Sequence, residues 1–479
     1  MTNNKKISIN YIYNLFAVVF EMVIPLITTP YLSRILEPDG IGIYSYTYSL
    51  ILIFVLMGAL GTATHGQRII AMKKDDKNLY SKAFWEILII RTFSLSIFMI
   101  FYLFISFFSG YVIYFLIQIP YFFSAMLDIT WFYQGLEDFK VITFKRIFIK
   151  LFGIFFIFIF VKNKEDLLLY LLILTLVQLL GNLSLWLNIK KYISKIPFKD
   201  LKVSDHYQDI LIYFIPTIAY QLYSLIDKVF LGIFSSETET GFYEQAQKLV
   251  NTLISIIIAY NTVIKSRMAN LYFNKDNNNI KSLLNNSINF VMLITMPIAF
   301  GLAAIAKNFV PCFFGEDYTK VEFLIYVFFP VIIFMSIKSS LNSMIFTPFG
   351  MQKKANVGEC LAAIVNCVVS IVLIPIYGAL GAVISTLISE FIIVIMLFVY
   401  CSKFLSICTF IKVTYKKIIA AILMFIFIFP ISFYYDSWLC ILMQICLGAF
   451  IYFITLVILK DQYMLMIISK IKRRENGKI

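Results

Sequence analysis

Charged side chains within long apolar stretches are the residues of this sequence best placed to carry out chemistry. A charge at the centre of a membrane helix costs roughly 2.5–3.5 kcal/mol, so such a residue normally faces a partner or a water-filled cavity. A buried Arg or Lys can bind an anion, and a buried carboxylate can bind a cation or a proton. Both kinds occur here: Glu21, Glu86, Arg91, Asp128, Asp227, Lys228, Glu244, Lys248, Lys338, Glu359 and Glu390.

The elements that must position these charges are membrane-spanning helices. The 479 residues are 61% apolar and only 14% charged, against about 25% charged residues in soluble domains. Apolar stretches of about 20 residues recur, which is the helix length that crosses hydrocarbon. The sequence predicts an all-α polytopic membrane protein without a soluble catalytic domain. Fourteen spans are predicted, at about residues 10–32, 41–63, 83–107, 111–133, 147–161, 167–189, 210–234, 242–264, 286–306, 321–346, 357–376, 379–400, 418–434 and 438–459.

Motifs for a metal, a nucleotide or a covalent intermediate are missing from the sequence. Its seven cysteines form no C-x-x-C pair, and its two histidines, His65 and His206, lie in separate predicted loops. The phosphate-binding patterns GxxxxGK[ST] and GxGxxG and the nucleophile pattern GxSxG do not occur. We therefore expect no metal, no cofactor and no catalytic residue, and an energy source other than a nucleotide bound to this chain.

Lysine and arginine are distributed unevenly between alternate predicted loops. Anionic lipid and the insertion machinery keep positively charged loops on the cytoplasmic side. If the N-terminus is cytoplasmic, most of the 41 Lys and Arg residues fall in cytoplasmic segments. The pattern predicts both termini in the cytoplasm, and it explains the net charge of +14 without a nucleic-acid partner. The outer segments hold only Arg34, Lys162, Lys164, Lys307 and Lys320.

The two halves of the chain show a weak internal repeat. Gly42-Ile43-Tyr44 aligns with Gly241-Phe242-Tyr243, which places spans 1 and 2 over spans 7 and 8. Six spans separate the copies, so the halves have the same orientation, as in a parallel repeat about an axis normal to the membrane. We expect two six-helix lobes around a central cavity, at residues 1–205 and 206–400, followed by helices 13 and 14 with a basic tail at 401–479.

Four stretches of the sequence resemble a known family. They are PLITTPYLSRILEPDGIGIYSYTYSL from Pro25, ALGTATHGQRIIA from Ala59, LDITWFYQGLEDFK from Leu127 and IDKVFLGIFSSETETGFYEQAQKL from Ile226. In these stretches the chain is similar to Wzx-type polysaccharide flippases of the multidrug/oligosaccharidyl-lipid/polysaccharide exporter superfamily. Glu37-Pro38 departs from the Gly-Pro that is more frequent there. The residues that match the family pattern are Arg34, Gly40, Gly42, Tyr44, Gly61, Gly66, Arg68, Gln134, Gly135, Asp227, Lys228, Gly241, Tyr243, Ala246 and Lys248.

The resemblance implies a transporter of lipid-linked sugar in the bacterial plasma membrane. Such proteins move an undecaprenyl-diphosphate-linked oligosaccharide from the inner to the outer leaflet for capsule, O-antigen or exopolysaccharide synthesis, and a polysaccharide polymerase and a chain-length regulator are the expected partners. The anionic head group cannot cross hydrocarbon unaided, whereas the isoprenoid tail can stay in lipid. The protein therefore needs a wet, partly cationic cavity that opens to alternate sides.

The in-span cations are the candidates for binding this head group. Arg91 and Lys338 lie at similar predicted depth near the inner ends of spans 3 and 10, and we expect them to receive the diphosphate. Alternatively, Arg91 pairs with Glu86, or either cation extends to the membrane interface. Arg34, at the outer end of span 1, either guides release or anchors the helix at the interface.

The remaining charges have two competing interpretations. Asp227, Lys228, Glu244 and Lys248 lie at one level of the predicted hairpin of spans 7 and 8, where they form either a structural network or a contact with substrate or ion. Lys228 and Lys248 are therefore further substrate-binding candidates. Coupling to a cation gradient requires a buried carboxylate. The candidates for it are Glu21, Asp227 and Glu390.

Two other functions compete with the flippase hypothesis. A cation-coupled multidrug exporter of the same superfamily is disfavoured by fourteen rather than twelve predicted spans and by in-span cations, which repel cationic drugs. A membrane polysaccharide polymerase or acyltransferase requires a long outer loop or an in-membrane catalytic histidine. The outer loop at about 307–320 is short, and both histidines lie in predicted inner loops.

Overall fold

The fold is a set of membrane helices joined by short turns. The computed structural model describes residues 3–402, 404–433 and 437–475, without the side chains of 3–22 and of several scattered positions, and no strand occurs in these ranges. Eleven helical segments of this part of the chain are long and apolar enough to cross a membrane. The predicted all-α, multi-pass membrane fold is confirmed, while the count of fourteen spans stays a prediction.

The difference between eleven and fourteen has identifiable sources. One segment, Val23–Ala59, contains most of predicted span 2 and the second part of span 1 in a single helix with a break. Helices Phe139–Phe160 and Tyr207–Phe234 occupy the positions of predicted spans 5 and 7 but are not among the eleven. A helix of 22 residues, such as Phe139–Phe160, is about 33 Å long at 1.5 Å per residue, which is enough to cross hydrocarbon.

The chain divides into two compact units, Met1–Gly241 (unit 1) and Phe242–Ile479 (unit 2). The lobe boundaries expected at 205/206 and 400/401 stay a prediction. Helices α1 to α10 of unit 1 are Asn3–Ala59, Thr62–Met72, Lys77–Phe107, Val112–Leu116, Pro120–Met126, Thr130–Gly135, Phe139–Phe160, Leu167–Trp186, Ile189–Tyr192 and Tyr207–Phe234. Helix α11, Glu237–Phe273, crosses the boundary, and α12 to α18 are Asn277–Phe314, Thr319–Leu341, Gln352–Tyr377, Ala379–Cys401, Ile407–Ile428, Trp438–Ile458 and Gln462–Glu475.

Helix α1 breaks where the sequence predicts the loop between spans 1 and 2. Glu37 has φ 55° and ψ 175°, which is not helical. The next residue is Pro38, and a proline disfavours helical conformation in the residue before it. The break therefore separates the two apolar stretches without a longer loop.

Close approaches on either side of this break follow the internal repeat. A Cβ on Gly42 would lie 1.7 Å from the carbonyl oxygen of Glu237, and a Cβ on Gly241 would lie 2.0 Å from that of Pro38. Thr238 donates a hydrogen bond to Asp39, which lies 199 positions earlier in the chain. This separation equals the offset at which Gly42 aligns with Gly241, and the three contacts join the segments 38–42 and 237–241 within unit 1.

Predicted span 4 is broken into the short helices α4, α5 and α6. Breaks in a membrane helix free backbone carbonyls that must find new partners because no water is at hand. Side chains of the neighbouring helices supply those partners. Asn182 donates to the carbonyl of Ser124 at 2.9 Å, and Trp186 donates to that of Leu127 at 2.8 Å. The LDITWFYQG motif lies in this broken region.

Candidate functional site

Arg91 is buried in unit 1, where it holds the broken span in place. Its Nε donates to the carbonyl of Ala125 at 2.8 Å, and its Nη1 donates to Oγ1 of Thr62 at 3.0 Å. Nη2 lies 3.6 Å from a carboxylate oxygen of Asp128. Only 4% of Arg91 is exposed. The guanidinium therefore joins α3 to α2 and to the freed backbone of span 4.

The alternative pairing of Arg91 with Glu86 is wrong. Glu86 lies on α3 one and a half turns earlier, and its carboxylate is bonded to His206 at 2.9 Å and to the backbone N–H of Lys202 at 2.6 Å. A spacing of five residues turns the two side chains to different faces of a helix, since neighbours on one face are three or four residues apart. The expected role of Arg91 in receiving the head group stays a prediction.

Unit 1 contains a cavity of about 260 Å³ between α1, α5, α7 and α8. Tyrosines line it. The rings of Tyr44 and Tyr48 stack at 5.3 Å, and Tyr170 meets Tyr44 edge-on at 5.3 Å. Tyr121 meets Tyr48 edge-on at 5.6 Å, with their hydroxyls 3.4 Å apart. Such a wall combines flat apolar faces with hydroxyl groups, as a sugar ring requires.

Lys150 and Gln178 add polar groups to the tyrosine-lined cavity. From the sequence, Lys150 was counted with the basic residues of the inner segment 134–150, although predicted span 5 begins at residue 147. In the structure α7 runs from Phe139 to Phe160, so Lys150 lies at the middle of the helix. The signal that could have identified it is length, because the fifteen residues 147–161, which already include Lys150, are too few to cross hydrocarbon, so the span must extend into the basic segment.

In unit 2, Lys338 of α13 forms a buried ion pair with Glu390 of α15. Of their side chains, 6% and 0% are exposed. Glu359 of α14 interacts electrostatically with both residues and accepts a hydrogen bond from Asn342 at 3.3 Å. The three ionised groups carry a net charge of −1. We call Lys338, Glu359 and Glu390 the unit 2 charge cluster.

The surroundings of this charge cluster are polar and locally irregular. The α-helix α13 changes to a π-helix at Asn342–Phe346, one turn after Lys338. Such π-turns are frequent at functional sites. Asn261 of α11 donates to Ser339 at 3.0 Å, and Ser370 donates to Ser385 at 2.7 Å between α14 and α15. Polar groups of four helices thus meet inside unit 2.

The other predicted site residues are not brought into these two sites by any described contact. Arg34 is exposed before the break in α1, and Asp227 is buried. Lys228 and Lys248 are partly buried, and each of these four residues interacts with neighbouring groups. Their roles stay predictions. Glu21 lies among the side chains outside the described residues.

The two sites differ in chemistry. The cavity of unit 1 combines aromatic walls with one lysine, and it can accommodate an uncharged polar ring beside an anion. The charge cluster of unit 2 is enclosed and has an excess of one negative charge, so its ionised state favours uptake of a proton or another small cation. One unit therefore has the features of an organic ligand site and the other those of an ion site.

Sequence comparison relates the chain to proteins of polysaccharide synthesis. A family model described as polysaccharide biosynthesis protein matches residues 8–271. A Shigella dysenteriae protein whose name describes an O-antigen transporter is 23% identical over 379 residues, covering 78% of this chain and 94% of the relative. An Escherichia coli K12 protein of the same name is 23% identical over 406 residues, covering 83% and 97%. A Haloferax volcanii protein, named for a low-salt glycan biosynthesis flippase, is 23% identical over 39% of each chain.

Comparison of structures relates the fold to multidrug transporters. An inward-facing MATE family transporter of the MOP superfamily is 13% identical, with a TM-score of 0.60. The match covers 82% of this chain and 95% of the transporter. A second MATE multidrug transporter, solved in complex with a ligand, is 11% identical, with a TM-score of 0.54. The match covers 87% of this chain and 97% of that transporter. At these identities the likeness shows the fold alone. Since the family model spans more than half of the sequence, the chain belongs to the polysaccharide biosynthesis protein family, which confirms the resemblance drawn from its motifs.

Proposed function

We propose that this protein is a flippase that moves undecaprenyl-diphosphate-linked oligosaccharide from the inner to the outer leaflet of the bacterial plasma membrane by alternating access. The product serves O-antigen, capsule or exopolysaccharide synthesis. Membership of the polysaccharide biosynthesis family and the names of the two relatives that cover most of the chain support this function. Those relatives are named as transporters and not as enzymes, which argues against a polymerase or an acyltransferase.

The observation that carries the proposal is the tyrosine-lined cavity with Lys150. A saccharide buries its ring faces against aromatic rings and needs hydrogen-bonding partners for its hydroxyls, which Tyr and Gln provide. The diphosphate needs a cation within the membrane, because an isolated anion in hydrocarbon is prohibitively costly. We infer that the cavity holds the first sugars of the cargo and that Lys150 contacts its phosphate.

The unit 2 charge cluster is our candidate for ion coupling. Glu390 was singled out for this role from its predicted mid-span position, and it lies beside Lys338 and Glu359. A proton or another cation taken up there would neutralise the excess negative charge and weaken the hold of Glu390 on Lys338. We infer that this event biases the packing of α13, α14 and α15 during the cycle.

The expected partners follow from the direction of transport. With both termini in the cytoplasm, the protein receives its cargo from glycosyltransferases at the inner leaflet. It delivers the cargo to a polysaccharide polymerase and a chain-length regulator at the outer face. Its basic loops contact anionic lipid rather than nucleic acid.

The test is transport by Lys150 variants in a strain that lacks the chromosomal gene and any second flippase. Lys150→Met should reduce the lipid-linked oligosaccharide accessible at the outer face of spheroplasts, and should weaken binding of the lipid diphosphate by about ten- to a hundredfold. Lys150→Arg should retain most of both. Lys140→Met removes the same charge from an exposed position of the same helix and should behave as wild type.

Two results would count against the proposal in different ways. Unchanged exposure of the oligosaccharide in the gene deletion would remove the flippase function itself. If well-expressed Lys150→Met binds and transports normally, the flippase function is not contradicted, but the tyrosine-lined cavity is excluded as its binding site. The search would then return to Arg34, Lys228 and Lys248.

A further inference from the structure

The two histidines of the chain meet at one end of unit 1. Nε2 of His65 lies 2.9 Å from Nδ1 of His206, and Nε2 of His206 lies 2.9 Å from a carboxylate oxygen of Glu86. The other oxygen of Glu86 accepts the backbone N–H of Lys202 at 2.6 Å. Only 1%, 6% and 3% of His65, His206 and Glu86 are exposed. The three side chains form a continuous buried chain of hydrogen bonds.

This chain of bonds connects three separate elements. His65 lies on α2, one turn after the left-handed Gly61, and Glu86 lies on α3. His206 ends the 3-10 turn Val203–His206 and immediately precedes α10. The bonds therefore fasten the segment that leads into α10 to the first helices of the unit. Sequence spacing placed the two histidines in unrelated loops.

The geometry restricts where protons can be. With both rings neutral, Glu86 requires the proton of His206 on Nε2, so Nδ1 of His206 accepts the Nε2–H of His65. One further proton can enter at Nδ1 of His206 if His65 moves its own proton to Nδ1 and accepts at Nε2. A second proton would set two N–H groups against each other at 2.9 Å. The pair of rings can hold one extra proton and no more.

We propose that His65, His206 and Glu86 form a binding site for a single proton, which His206 carries and which fastens the start of α10 to α3. Proton uptake converts the hydrogen bond from a neutral His206 ring to the Glu86 carboxylate into an ion pair, in which both the donor and the acceptor are charged. Proton release weakens the bond and loosens the segment Lys202–His206. The inference rests on the cluster alone and does not depend on the nature of the cargo.

Burial and the surrounding charges disfavour a proton on His65. Burial, followed by the neighbouring His206 ring, lowers the pKa of His65 from 6.5 to about 4. Arg68 and Lys73 of α2 act in the same direction, and Asp209 of α10 opposes them. His65 thus stays neutral at physiological pH.

Two lysines also contact the Glu86 carboxylate, one through its side chain and one through its backbone N–H. Lys82 of α3 lies 3.9 Å from Glu86, on the opposite oxygen from His206. Lys202 contributes only its backbone N–H in the contacts described for it. The carboxylate that stabilises the proton on His206 is therefore shared with one partly exposed lysine. The three side chains lie in a row and do not converge on one point, and the described part of the chain contains no group of three or more such side chains that could hold a metal ion.

The experiment is nuclear magnetic resonance of the full-length protein in nanodiscs with ¹⁵N-labelled histidine and a tag free of histidine. The chain contains only two histidines, so both signals come from this site. Between about pH 8 and about pH 5, where histidine titrates, one ring should gain a proton. The other should stay neutral while its proton moves from Nε2 to Nδ1. Hydrogen–deuterium exchange of residues 202–207, corrected for intrinsic pH dependence, should be slower in the protonated state.

Variants separate the proton site from simple packing. In Glu86→Gln, which keeps the size and one acceptor oxygen, the proton should bind only at a lower pH than in wild type. Lys82→Gln should keep the single step. If Glu86→Gln does not fold, His65→Gln leaves one histidine, and that ring should still take the proton. Independent protonation of both rings, no protonation across the range, identical behaviour of Glu86→Gln and wild type, or unchanged exchange of residues 202–207 would each overturn the inference.

Discussion

The buried ion pair of Lys338 with Glu390 allows a direct test of the packing inside unit 2. The two side chains belong to α13 and α15, and neither is more than 6% exposed. Neutralising one partner leaves the other charged in a site from which water is excluded. We therefore expect Lys338→Met and Glu390→Gln each to destabilise the protein, and the double variant to recover most of the loss.

The magnitude follows from the burial of both groups. Removing one partner of a buried ion pair costs about 3–5 kcal/mol, because an uncompensated charge remains, whereas replacing both by neutral groups of similar volume is close to neutral. For a unit of about 240 residues this corresponds to a fall in melting temperature on the order of 10 °C for each single variant. Glu359 remains near Lys338 when Glu390 is neutralised, so Glu390→Gln should be the milder of the two.

The assay is thermal melting of the purified variants in one detergent, followed by size-exclusion chromatography. Transport is measured in parallel. Stability that returns in the double variant while transport stays lost would assign the pair to the transport cycle, as expected of an ion-coupling site. If stability and transport both return in the double variant, the ion pair has a structural role only. Single variants as stable as wild type, or losses that simply add in the double variant, would refute the pairing itself.

Further predictions concern unit 1 and the topology. Arg91→Ala should lose about 3–5 kcal/mol of stability, because Arg91 satisfies a freed carbonyl and a carboxylate, and Arg91→Lys should lie between it and wild type in melting experiments. Gly42→Ala should lower the melting temperature because its Cβ would collide with backbone, whereas Gly110→Ala, with open space around it, should not. Cysteines introduced at Ser236 and Asn277 should be labelled from outside and inside respectively, and reversed labelling would defeat the predicted orientation.

The sequence by itself determined the class of the protein and the approximate places of its apolar segments. The thickness of hydrocarbon sets the length of an apolar stretch, so the spans can be located without knowing how they pack. The offset between Gly42 and Gly241 predicts related halves, which stays a prediction, and in the structure the segments around these two glycines contact each other. Four short motifs were sufficient to identify the family because they lie in the right order along the predicted spans.

Only the tertiary structure decided which charges meet. The cost of a charge in a membrane predicts that it has a partner, but the identity of the partner depends on the rotation of each helix about its axis. Lys338 and Glu390 were predicted to have separate roles, yet they form one ion pair.

The same dependence on packing explains what was missed in unit 1. Glu86 was one alternative partner for Arg91 and instead accepts a hydrogen bond from a histidine 120 positions away in sequence. Lys150 was counted with a basic inner segment, whereas the structure places it at the middle of α7. Apolar length is a property of one segment and can be found in the sequence, whereas the pairing of buried polar groups is a property of several segments at once.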